Sequence, residues 1–121
     1  ILLIDKKPYK DQTKGLKLIK ESIGRVMEIT TIKADVYDIV DVARKCVEAI
    51  DLTPKDDIIS VNITSGRKTM AIGLLFAAYA RSERIDKIAY NPEEDKNDVV
   101  YLPKLFFRFT ESQRRILEYL E

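Results

Sequence analysis

The sequence predicts an α/β domain of three layers, α/β/α, around a mainly parallel sheet, and three observations carry that reading. Short β-branched runs at 1–4, 25–32, 57–64, 85–90 and 99–102 alternate with helical stretches. Alternation of this kind builds a parallel sheet with crossover helices on both faces. One strand, 57–64, passes into a helix through a short polar turn containing a single glycine. Finally, 121 residues suffice for one domain with its own core.

The elements follow in order. Ile1, Leu2, Leu3 and Ile4 form a buried strand, and a polar loop runs from Asp5 to Thr13. A helix then places Leu16, Ile19 and Ile23 on one face and stops at Gly24. After the strand at 25–32, Asp35 is placed to cap a helix with Val36, Ile39, Val40, Ala43, Val47 and Ile50 at helical spacing. Pro54 lies in the segment that breaks it. The helix from Met70 to about Arg81 is apolar nearly all round, so it needs cover on more than one side, from the sheet plus a neighbouring helix or from a second subunit, the latter favoured.

Composition removes several classes of function. The chain has no histidine, which excludes Ser-His-Asp and Cys-His catalysis and argues against a zinc site. Its one cysteine, Cys46, cannot form an internal disulfide and falls on a helical apolar face, so it reads as a buried core thiol. A formal net charge of +1 does not suit a strongly basic nucleic-acid binder. No signal peptide and no apolar run of bilayer length is present, which points to a cytoplasmic protein. No cofactor and no metal is expected. The apolar start and the helical pattern at the close suggest truncation at both ends.

The turn holds the chemistry. Ser60-Val61-Asn62-Ile63-Thr64-Ser65-Gly66-Arg67-Lys68-Thr69-Met70 joins a strand to a helix start, where unpaired N–H groups and the positive end of the dipole attract anions. Thr64, Ser65 and Thr69 add hydroxyls, Gly66 permits close approach, and Arg67 and Lys68 add positive charge. A plainer reading also stands: Ser65 caps the helix, Gly66 serves the turn, and the cations face water. The P-loop spacing is absent, since Arg67 separates Gly66 from Lys68, and one glycine cannot make a dinucleotide fingerprint.

The pattern Val61-Asn62-Ile63-Thr64-Ser65-Gly66-Arg67-Lys68-Thr69-Met70 resembles that of the CARF family, the CRISPR-associated Rossmann-fold sensor domains. A second stretch is similar to archaeal regulators that join such a domain to a C-terminal helix-turn-helix: Thr110-Glu111-Ser112-Gln113-Arg114-Arg115-Ile116-Leu117-Glu118-Tyr119-Leu120 follows a Pro-containing linker and opens with a capping box. Two departures stand out. The family usually has Gly where Ser65 stands and a small or hydroxyl residue where Arg67 stands. Its first strand and loop are also not found, so 1–4 would correspond to the second strand of the full fold.

The resemblance implies a Rossmann-like sensor domain over 1–103, truncated at the N-terminus. Residues 104–121 would then be a linker and the first helix of a truncated winged helix-turn-helix. It implies a homodimer that binds cyclic oligoadenylate through Asn62, Thr64, Ser65, Gly66, Arg67, Lys68 and Thr69. Binding would be signalled to DNA through the C-terminal domain. Slow metal-independent ring cleavage, with Lys68 as the cation on the developing charge, stays open, as does a regulator unconnected with CRISPR that senses another nucleotide. A pure dimerisation module is the third alternative. Among lesser candidates, Asp35 and Asp38 read as capping residues. Tyr90 and Asn91 could line the pocket, and Lys6, Lys7 and Tyr9 read first as surface loop with phosphate contact as an option.

Overall fold

The computed structural model describes residues 1–7, 9–64, 66–95, 97–103, 105 and 110–120. Strands and helices alternate: β1 (Leu2–Asp5), α1 (Lys10–Ile23), β2 (Thr31–Ala34), α2 (Ile39–Leu52), β3 (Ile59–Asn62), α3 (Lys68–Ala80), β4 (Ile85–Tyr90). The short strand β5 (Val100–Tyr101) and helix α4 (Glu111–Leu120) complete the order, and a 3-10 turn over Ser82–Arg84 leads into β4. The mixed α/β class is as expected.

The strands divide between two small sheets. β1 pairs parallel with β2, with Leu3 opposite Ile32 and Asp5 opposite Ala34. β3 pairs parallel with β4, which pairs antiparallel with β5. One continuous sheet was expected, but β1 and β3 do not pair among the described residues. Between them lies a groove of about 1230 Å³, lined by Leu3 and Ile4, Ser60 and Val61, and by Leu16 and Leu74 from the helices. The hydrogen-bond alternation shows which backbone groups face the groove. The N–H groups of Leu2 and Lys6 donate to Thr30 and Ala34, so Leu3 turns away from β2. On the other wall Ile63 donates to Ala89, so the backbone of Asn62 turns away from β4.

The core sits where α2 and α3 cover β3 and β4. Val42, Cys46 and Ile50 of α2 meet Ala77 and Ala78 of α3 over Val61, Ile85 and Ile88. Cys46 is buried, as its place on the apolar face predicts, and burial pushes its thiol up to about 11. The helices approach closely at Gly73, where a Cβ would lie 2.5 Å from Val42 Cγ1. By contrast α1 buries none of its residues.

Several boundaries differ from expectation; β3 spans Ile59–Asn62 and not 57–64, and β5 spans Val100–Tyr101 and not 99–102. Residues 25–30 are not strand: the N–H groups of Val26 and Met27 both donate to the Ile23 carbonyl, so the chain is still turning out of α1. The strand starts at Thr31, where pairing with Leu2 becomes possible. The cap of α2 is Asp38, whose Oδ1 accepts from Val40 N at 3.0 Å and Asp41 N at 3.2 Å. Asp35 does not cap the helix; it forms the turn before it, accepting Tyr37 N at 3.2 Å. Val36, expected on the helix, lies in this turn as a fully buried anchor. The capping box at the start of α4 forms as expected: Thr110 N donates to Gln113 Oε1 at 2.9 Å, and Gln113 N to Thr110 Oγ1 at 3.2 Å.

Candidate functional site

The carboxyl ends of β1, β2 and β3 converge on the start of α3. Gly66 adopts φ 98°, a conformation that L side chains rarely take, which is why the turn needs glycine there. Arg67 follows as the N-cap residue of α3 in extended backbone, with no side-chain cap bond. No acidic residue occupies the first turn of α3, so its dipole end is not neutralised locally.

The candidate residues divide by role. Asn62 closes β3, and its Oδ1 accepts Thr64 N at 2.8 Å, which shapes the turn. The Thr64 hydroxyl accepts Asn91 N at 2.9 Å and lies 3.3 Å from Asn91 Oδ1, tying the turn to the end of β4. The Thr69 hydroxyl donates to the Val36 carbonyl and fixes the start of α3 to the loop after β2. Thr64 and Thr69 therefore hold the frame. Arg67 and Lys68 carry the charge, and Ser65 lies outside the described residues.

Arg67 reaches across to the loops after β1 and β2. Its guanidinium lies 4.9 Å from the Tyr37 ring centroid and 5.5 Å from that of Tyr9, within cation–π range of both. Below them Lys6 Nζ stands 3.5 Å from Asp35 Oδ2. Asp5, at the end of β1, is buried, and its Oδ1 accepts Lys7 N at 3.0 Å. These groups line a cleft of about 420 Å³. Three cations, two aromatic faces and the carboxylates of Asp5 and Asp35 in one concavity suit a ligand with both negative charge and a flat π surface.

Sequence reasoning marked the Thr64–Lys68 turn but placed Tyr9, Lys6 and Lys7 first on a surface loop, and it missed Asp5 and Tyr37. The available signal was position: each of these follows a strand whose carboxyl end was already predicted. Perturbed ionisation is found at the other ends of the strands. There the side-chain hydrogen bonds from Arg81 hold the Asp51 carboxyl below its ordinary range, at 2.7 Å and 3.1 Å. Among the described residues no group of side chains could hold a metal ion, and no helix is long and apolar enough to cross a membrane.

Fold and cleft together define an α/β domain whose reactive groups gather over the carboxyl ends of parallel strands. The chain belongs to the HFX_2341_N-like, N-terminal family, whose model matches residues 1–95. That span includes β1 to β4 and every group of the cleft. No curated protein matches the chain.

Proposed function

We propose that this domain is the ligand sensor of a cytoplasmic, CRISPR-associated transcription regulator, and that its ligand is a cyclic oligoadenylate. The observation that carries the reading is the placement of Arg67. It stacks over two tyrosines at the start of a helix whose first turn holds no acidic residue. A ring of adenosines joined by phosphates presents bases to the tyrosines and anions to Arg67, Lys68 and the first N–H groups of α3. The capping box of α4 supports a helix-turn-helix continuing from 104 onward, which would read DNA. Ile72 and Phe76, one turn apart and exposed on α3, supply an apolar patch for a second copy. A homodimer would bring two such turns to one ring, and ring binding would reorient the paired DNA-binding domains.

Lys68 favours a second reading. It makes no ion pair among the described residues and stands on the first turn of α3, free to stabilise charge during ring cleavage. Calorimetric titration of the chain with cyclic tetra- and hexa-adenylate, repeated with Lys68→Ala, tests both readings. Binding weakened about tenfold or more in the variant supports the sensor, since a charged hydrogen bond contributes on that order. Linear product after incubation with wild type, absent with Lys68→Ala, would establish the nuclease. No binding to either ring would contradict the cyclic-oligoadenylate reading.

A further inference from the structure

One carboxylate in the cleft is not explained by the fold. Asp5 is 8% exposed, and burying a charged group in this way is costly unless its oxygens are paired. Its Oδ1 accepts the Lys7 N–H at 3.0 Å. Its Oδ2 has no donor among the described residues, and neither nearby lysine is bound to it, Lys6 being turned to Asp35 at 3.5 Å. Yet Oδ2 is not among the buried oxygens sealed away without a partner. Oδ2 therefore keeps some exposed surface, and the residue lines the cleft. An otherwise buried acceptor left open to a cleft matches a ligand hydroxyl, which can supply the missing proton.

The surroundings narrow the ligand further. Tyr37 is 67% exposed and carries Arg67 against its ring at 4.9 Å, leaving most of the ring accessible. The same guanidinium lies 5.5 Å from the Tyr9 ring centroid. A hydroxyl donor, a flat ring and an anion are the three parts of a ribonucleotide. Such a unit would set its base on the tyrosines and its phosphate against Arg67 and Lys7.

We infer that Asp5 and Tyr37 form a ribonucleotide-reading subsite in which the Asp5 carboxylate accepts a hydrogen bond from a ribose 2′-OH and Tyr37 stacks on the base. The inference takes its ligand class from the nucleotide reading above and adds which sugar is chosen and by which residue. A carboxylate acceptor makes a strong, charge-assisted hydrogen bond. A deoxyribose would leave it desolvated without a partner, which penalises the wrong sugar. The expected preference is about ten- to a hundredfold for ribose over 2′-deoxyribose.

Four probes are titrated into the full 121-residue chain: cyclic tetra-adenylate, its 2′-deoxy analogue, AMP and 2′-deoxy-AMP. Asp5→Asn retains an oxygen for the Lys7 N–H but removes the charge. It should collapse the sugar preference from both sides, weakening the ribose probe and relieving the penalty on the deoxy probe. Tyr37→Ala, at an exposed position that does not endanger folding, should weaken ribo and deoxy probes alike by about tenfold, and Tyr37→Phe should restore them. A ring that binds wild type equally well with ribose and deoxyribose overturns the subsite and leaves the cyclic-oligoadenylate reading standing. So does a preference that survives Asp5→Asn. AMP bound with a ribose preference when neither ring binds upholds the subsite and sinks the ring. No binding of any probe overturns both.

Discussion

The half of the molecule built on α2, α3, β3 and β4 and the half built on β1, α1 and β2 share one architecture but differ in how it is held. In the first, α2 packs along α3, and the buried side chains form one cluster. In the second, α1 contributes no buried residue, and one edge of β1 faces an open groove. Apolar burial supplies most folding free energy, so the first half should carry most of the stability. The cleft straddles the two. Its helix start belongs to the firm half, while Asp5, Tyr9 and Tyr37 belong to the lighter one. Three contacts tie them: Ala34 of β2 enters the shared core, Asp35 N donates to the Asp41 carboxylate of α2, and the Thr69 hydroxyl donates to the Val36 carbonyl. A ligand touching both sides would add to the few contacts that hold the lighter half against the firm one.

The sharpest way to break this comparison is Gly73→Val. A Cβ there already meets Val42 Cγ1 at 2.5 Å, so two further methyls should force the helices apart and cost about 3 kcal/mol. Val42→Ala, which opens a cavity in the same contact, should cost about 2 kcal/mol by urea denaturation. Asp38→Ala removes the cap of α2 and should cost about 1 kcal/mol. Leu18→Ala on the exposed side of α1 should stay within about 0.5 kcal/mol. A larger loss at Leu18 than at Val42 would reverse the assignment of the two halves.

Smaller effects come from pH. The Arg81 hydrogen bonds hold Asp51 below the usual carboxylate range, so their contribution is present above that range and is lost as pH falls through it. Both groups are exposed, and salt screens the pair. Asp51→Asn should lower Tm slightly at pH 7 and make no difference in acid. For Cys46 the sign is opposite in pH. The thiol ionises near 9 when exposed and near 11 when folded, so the folded state loses stability as pH rises across that window. Cys46→Ser variants should lack this alkaline loss, and the native thiol should react slowly with a disulfide reagent at neutral pH.

Much of this was legible in the sequence, for identifiable reasons. β4 was placed at 85–90 because its apolar run lies between clear breakers, and the structure gives Ile85–Tyr90. The cap at Asp35 was not distinguishable from one at Asp38, since both precede the same apolar pattern. Tertiary structure decides between them: Val36 is pulled into the core, and the Asp41 carboxylate accepts Asp35 N at 2.8 Å. At the site, the Gly66 turn was readable from local chemistry. Arg67 over Tyr9 and Tyr37 was not, because those three residues lie in separate loops that meet only when three strand ends are brought side by side.

The most direct test of the account is the location of ligand binding, read by amide chemical-shift mapping as cyclic tetra-adenylate is added to the chain. Shifts concentrated at Asp5 to Tyr9, Asp35 to Tyr37 and Gly66 to Thr69, with Asp51 and Arg81 unmoved, are the predicted result. Shifts centred on the Asp51–Arg81 end of the strands, or none at saturating ligand, would contradict it.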